Sequence, residues 1–370
     1  MEFSKDLLLE IHKHIKPFIN RTPVLQFDFI NNLCNCNVYF KCENFQKTGS
    51  FKIRAASNAL KSLSKKSKEK GVITHSSGNF AQGLACASNL QNINAYIVMP
   101  ENAPRIKKNS VLKYDINLIE CKSTLEAREE TTSNILLEND LHFIHPSNDI
   151  DVILGNSTIG TELLEEHPDL DYILAPIGGG GLISGIAIAS DILSNKCEVI
   201  GVEPKQVDDA YRSLKSGKIE YNASTNTIAD GLRTNLGDIN FPIIKKLIRK
   251  IICVKESEII NTMKIFVEKL DIVIVNGENA ADTGVGITKK NTEEFFKAGA
   301  DVITSGNHIW DEKETMEFIT SEKRLLRPQN LAKGSPGKGF GIFNSRNNKK
   351  IAVINLMGNI FMKKCEDVFE

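Results

Sequence analysis

Short apolar runs alternate with longer stretches of helical spacing along most of this chain. Residues 37–43, 71–76, 94–100, 116–121, 172–177 and 197–203 read as strands. Between them, 51–65, 80–90, 123–138, 158–167 and 182–194 repeat apolar positions every three or four residues, which predicts helices. Such alternation predicts parallel strands joined by helical crossovers, an α/β architecture with covered sheets. Three further strand-like runs, "DIVIVN", "ADVITS" and "KKIAVINL", follow residue 270. The stretch 264–288, "KIFVEKLDIVIVNGENAADTGVGIT", changes from an amphipathic helix to a bare apolar strand at Asp271, which marks it as a candidate seam.

Charge and composition narrow the function classes. The 46 basic and 46 acidic residues cancel, so nothing electrostatic favours nucleic acid or an anionic membrane surface. The N-terminal 20 residues predict a charged amphipathic helix without the apolar run of a secretory signal. Residues 172–190 alone approach transmembrane length without a charge, but four consecutive glycines at their centre predict strand, loop and helix. Eight cysteines lack a metal-like C-x-x-C pair, with Cys34, Cys36 and Cys42 nearest to a cluster. A reduced cytoplasmic enzyme is the expectation.

Four motifs carry candidate chemistry. Lys52 stands at a helix start in "GSFKIRAA", where apolar neighbours can desolvate its amine; taken alone it is an ordinary helix lysine. "HSSGNFAQG" follows a strand and opens a helix, so its backbone amides with Ser76, Ser77 and Asn79 could hold an anion. Gly178, Gly179, Gly180 and Gly181 repeat that plan as a phosphate cradle, on the argument that a packing turn would not need four glycines. Dinucleotide binding is the rival there, with Glu203 as the ribose acid, but the glycines fit no G-x-G-x-x-G register. "EPKQVDDAY" gathers Glu203, Asp208 and Asp209, either as ligands for Mg²⁺ or Ca²⁺ or as solvated loop acids.

Together these residues, with "NRTPV", "HPSN" and "TIADGLRT", resemble the fold-type II pyridoxal-phosphate enzymes of the serine/threonine dehydratase and serine racemase family over about residues 5–270. The resemblance implies a two-lobed fold of parallel and mixed sheets over 1–270. A small lobe of about 53–147 would be inserted in a large lobe that is here incomplete. It implies pyridoxal 5′-phosphate as an aldimine on Lys52, with Phe51 and Asn79 beside the cofactor and Gly178–Gly181 on its phosphate. Ser77 would face Cα opposite Lys52 as the second catalytic group. Ser76, Ser77, Asn79, Arg128 and Thr234 would meet the substrate, and Glu203 with Asp209 would bind a divalent cation. Serine or threonine would be dehydrated to a keto acid and ammonia, or racemised, by a homodimer. Phe80, where many members have histidine, and "LGNSTIG", altered from glycine-glutamine-glycine, leave substrate preference open.

Residues 271–370 resemble a different family, the bacterial calcineurin-like metallophosphoesterases similar to 2′,3′-cyclic-nucleotide phosphodiesterases. The residues that carry this are "DIVIVNGENAADTGVGIT", "AGADVITSGNHIWDEKE" and "GSPGKGFGIF…KKIAVINLMGNIFM". Glu278 and Asn279 end one strand, Asn307 and His308 the next, which are hard-metal ligand types for a two-metal clamp on phosphate. No opening Asp strand precedes them and His308 is the last histidine, so the di-metal site is expected to be incomplete. The alternatives to a dehydratase or racemase are therefore a metal-dependent cyclic-nucleotide phosphodiesterase and a non-catalytic chimeric product. Ser305 of "VITSGNH" is a forced stand-in for the dehydratase group that meets the pyridine nitrogen.

Overall fold

A computed structural model describes residues 3–76, 78–103, 105–278, 280–281 and 285–357. It divides into two compact units: Met1–Ala103 with Lys107–Glu258, and Ile259–Glu370 with Pro104–Ile106. The division falls within the helix Glu256–Lys269.

In the first unit, the run 72–143 forms a four-stranded parallel sheet. Its order is Asn117–Cys121, Ala95–Pro100, Val72–His75, then His142–Phe143. The chain first steps outward from Val72–His75 and later returns to that strand's other side. This reversal is the topological switch point, where crossovers diverge and leave a crevice beyond the strand ends. A second parallel sheet takes Tyr172–Pro176, Glu198–Pro204 and Lys250–Val254 in chain order. Ile53, Leu60, Phe80, Leu84 and Ile144 pack into one core, and Ile173, Ile177, Ile183 and Val199 into another. Each such side chain contributes about 1.5–3 kcal/mol by leaving water.

Most expected elements form, with instructive differences. The strand expected at 37–43 shrinks to Phe40–Lys41, because its antiparallel partner Val24–Leu25 is only two residues long. The helix expected at 158–167 begins at Ile150, where the Asp149 carboxylate accepts from the Asp151 and Val152 amides at 2.8 and 3.3 Å and caps the first turn. The strands His142–Phe143 and Lys250–Val254 were not anticipated.

Three helices stack with little between them. A Cβ on Gly83, in the helix Asn79–Gln91, would lie 2.9 Å from the backbone carbon of Lys52. One on Gly155, in the helix Ile150–Glu166, would lie 2.6 Å from the Arg54 carbonyl oxygen. The helix that carries Lys52, Lys52–Ser62, is thus seated backbone to backbone. Arg54 secures it further. Fully buried, its guanidinium donates to Glu43 at 2.8 and 2.9 Å and to Glu162 at 2.8 and 2.9 Å. Burial alone would raise the Glu162 carboxyl, but hydrogen bonds from His12, Arg54 and Lys41 hold it well below the usual range.

The second unit has a parallel sheet ordered Ile274–Asn276, Val302–Thr304, Leu325–Leu326, and a separate hairpin of Phe340–Asn344 with Lys350–Ile354. Thr288 and Asn291 form a reciprocal capping box before the helix Lys289–Lys297. Ile287, Ile303, Ile309, Ile319 and Leu325 fill its core.

Candidate active site

Two segments leave the switch point of the four-stranded sheet. After Val72–His75 come Ser76, Gly78 and Asn79, which opens its helix from an exposed position. Beyond His142–Phe143 comes the stretch 144–148, which brings the distant pieces together. The Lys52 ammonium donates to the Pro146 carbonyl at 3.0 Å and lies 5.0 and 5.8 Å from the Phe51 and Phe80 ring centres. Desolvation there pushes its pKa down to about 8. No carboxylate among the described residues pairs with it, so the amine is half stripped of its proton near pH 8.

The next residue, Ser147, packs under the glycine turn. A Cβ on Gly179 would lie 2.3 Å from Ser147 Oγ, and one on Gly181 2.7 Å from the Ser147 carbonyl oxygen. A Cβ on Gly178 would lie 3.0 Å from the Gly231 carbonyl oxygen, and one on Gly180, at φ +91°, would lie 2.7 and 2.8 Å from side-chain carbons of Leu236 and Asn240. Every one of the four glycines therefore has a packing reason. The sequence argument that a packing turn would not need four does not hold. What survives is the placement: the turn opens the helix Gly181–Leu193, whose first amides are free of intrahelical partners.

His145 escaped the sequence reading apart from its place in "HPSN". Its Nδ1 accepts from the Ser147 and Asn148 amides at 3.2 and 2.8 Å, so the neutral ring carries its proton on Nε2. Burial, with His75 and Lys52 nearby, pushes its pKa down to about 4. His75 is lowered too, by burial and then by the charge of half-buried Arg128. Thr234 is exposed, and Ser77 lies outside the described residues.

Glu203 and Asp209 are both buried, at 0 and 1 % exposure. Glu203 accepts from the Ala210 and Tyr211 amides at 3.2 and 2.8 Å, and Asp209 from the Leu236 amide at 2.6 Å. Burial, reinforced by Asp209, pushes Glu203 up to about 8, and burial raises Asp209. Asp209 also accepts from the Asn222 amide, and no group of three His, Cys, Asp or Glu side chains forms here among the described residues, so the expectation of a divalent cation rests on these two buried carboxyls alone. Asp208 accepts from Arg212 at 2.7 Å.

In the second unit, Glu278 accepts from the His308 amide at 2.9 Å, and burial raises its pKa. His308 Nδ1 meets Asp311 at 2.6 Å, a partner that the sequence reading passed over. Asn307 is half-buried beside them and Asn279 lies outside the described residues. Among the described residues, no three His, Cys, Asp or Glu side chains converge as a metal site. Ser305 is buried and gives its hydroxyl to the Leu326 carbonyl at 2.9 Å. No described helix is long and apolar enough to cross a membrane.

Residues 15–305 match the family model described as pyridoxal-phosphate dependent enzyme. The chain belongs to that family. Within it, the chain is similar to the serine racemase of Dictyostelium discoideum, 43% identical over 305 residues that cover 81% of this chain and 93% of that protein. It is also 40% identical to the β-hydroxyaspartate dehydratase of Paracoccus denitrificans, over 82% of this chain and 95% of that one. The crystal structure of the Dictyostelium racemase superposes with a TM-score of 0.69 over 82% of this chain and 96% of its own. This pyridoxal-phosphate dependent enzyme is thus of the racemase and dehydratase type, a lyase or isomerase with an α/β fold. A second model, described as YmdB-like protein, matches residues 257–370 and overlaps the first over 257–305.

Proposed function

We propose that the chain eliminates water from small β-hydroxy amino acids, serine and threonine above all, or racemises them, with Lys52 holding the cofactor. The observation that carries this is the desolvated Lys52 amine, hydrogen-bonded to the same 146–147 segment that packs under the glycine turn. Pyridoxal phosphate, when bound, supplies an electron sink that makes the Cα proton of an amino acid removable. Amides of Gly178–Gly181 take the phosphate, and Asn79 and Phe51 flank the ring. Lys52, with its depressed pKa, takes the Cα proton on one face. Ser77 serves the other face. Loss of the β-hydroxyl as water and hydrolysis leave a keto acid and ammonia, whereas a proton returned by Ser77 inverts Cα. Ser76, Arg128 and Thr234 face the substrate. Glu203 and Asp209 hold Mg²⁺ or Ca²⁺. The active form is a cytoplasmic homodimer.

Cofactor capture outlasts turnover in this reading, because Ser305 spends its hydroxyl on Leu326. Incubation with pyridoxal phosphate, borohydride reduction and peptide mapping test the lysine. Keto-acid and D-serine assays on L-serine and L-threonine then test turnover. Absence of a reduced adduct on Lys52 overturns the assignment.

The contact between Glu278 and His308 supports a second reading, that 271–370 is a domain descended from a metallophosphoesterase with an incomplete di-metal site. Hydrolysis of a 2′,3′-cyclic nucleotide that needs Mn²⁺ and is lost in His308→Ala would restore a working phosphodiesterase to consideration. Its absence leaves the ancestry only.

A further inference from the structure

Asn240 begins the helix Asn240–Leu247 and is fully buried. Its side-chain amide donates to two carbonyls from distant segments, Ser147 and Gly179, each at 2.9 Å. Its own Oδ1 finds no hydrogen-bond partner among the described residues. A buried orphan acceptor is costly, and Asn240 bears that cost while its two donors hold carbonyls of separate segments. The Gly179 carbonyl also receives the Gly237 amide at 3.3 Å. In a trans peptide the carbonyl and the following N–H point to opposite sides. Drawing the Gly179 oxygen onto Asn240 therefore turns the Gly180 N–H to the opposite face of the turn. Asn156 repeats the device on the same turn: buried, it donates to the Gly181 carbonyl at 3.0 Å, and its Oδ1 is likewise unpartnered among the described residues.

We infer that Asn240, assisted by Asn156, is a positioning residue for phosphate recognition, which orients the glycine turn and ties it to the 146–147 segment that receives Lys52. The inference rests on the assignment of Gly178–Gly181 to the cofactor phosphate. Asn240 touches neither cofactor nor substrate in this role; it acts through Gly179 and Ser147.

Pyridoxal, which lacks the phosphate, separates this role from general support of the fold. In Asn240→Leu, half-saturation by pyridoxal phosphate, followed by borohydride-fixed adduct, is expected to rise about tenfold, the effect of one or two lost hydrogen bonds. Capture of pyridoxal should stay within twofold of the parent. Asn240→Thr, which keeps one hydroxyl donor, should fall between them. Equal weakening toward both aldehydes, or no weakening, overturns the inference. If the parent chain forms no adduct, the lysine assignment falls, and the thermal shift given by inorganic phosphate still judges Asn240. A shift present in the parent and lost in Asn240→Leu supports the role, and a shift absent from the parent or equal in both chains rejects it.

Discussion

The ammonium of Lys52 donates to the carbonyl of Pro146 at 3.0 Å, across 94 residues of chain, and this bond ties the lysine helix to the stretch beyond His142–Phe143. A neutral backbone acceptor leaves the amine without a counter-ion, so burial dominates and lowers its proton affinity to a pKa of about 8. The rate of adduct formation with pyridoxal should then rise about tenfold per pH unit below 8 and level off above it. A rate still climbing steadily from pH 9 to 10, in stopped-flow absorbance, would mean a lysine in water. Lys52→Ala should abolish the adduct.

Glu203 gives a second pH-dependent expectation. Its folded pKa is raised to about 8 from 4.5, so the folded state holds a proton that the unfolded chain has already lost. That contribution to stability is complete below about pH 4.5 and disappears as pH rises through 8. A divalent cation would replace the proton. Adding Mg²⁺ or Ca²⁺ should therefore raise the melting temperature far more at pH 8 than at pH 5, and Glu203→Gln should abolish the difference. An equal rise at both pH values contradicts a cation on these carboxyls.

Gly179→Ala should distinguish a crowded turn from an open one. The added methyl meets Ser147 Oγ at 2.3 Å, and overpacking of this sort costs about 1–3 kcal/mol. Thermal melts should show that loss together with weaker capture of pyridoxal phosphate. Gly78→Ala, where a Cβ meets nothing within 4 Å, should leave stability nearly unchanged.

Arg54→Ala strands Glu162 and Glu43 without their shared guanidinium, and breaking such a buried pair costs about 3–5 kcal/mol. Urea unfolding should place the midpoint correspondingly lower. Arg54→Met, similar in length but uncharged, should lose nearly as much, because Glu43 and Glu162 are deprived of the same donors. If Arg54→Met keeps the parent's midpoint, the charges are not what holds this helix.

Elements whose apolar period stands clear of their neighbours were legible in the sequence. Val72–His75, Ala95–Pro100 and Glu198–Pro204 fall where the apolar runs place them, flanked by polar or helical stretches that set their ends. Lys250–Val254 was passed over because "KIICV" follows the helix Asn240–Leu247 almost directly, and one apolar run conceals the change of period. The site divides in the same way. Lys52 and the glycines carry local motifs, whereas Asn240 and Arg54 owe their places to partners 93 and 108 residues away. Spacing along the chain holds no record of such pairings. The glycines were recognised for a reason that packing partly overturns, since each also makes room for a neighbour.

The seating of the lysine helix on Gly83 and Gly155 has a consequence for how this chain could drift over generations. The crowding continues one layer outward, where a Cβ on Gly185 would lie 2.4 Å from the Ile153 carbonyl oxygen and one on Gly160 2.8 Å from Ala189. Backbones in direct touch cannot absorb a methyl by swinging a side chain aside. In a mutational library scored by cofactor capture, intolerance should follow these four glycines down through the helices, away from any atom that meets the substrate. Exposed Thr234, although proposed to face the substrate, should accept far more variety than Gly185.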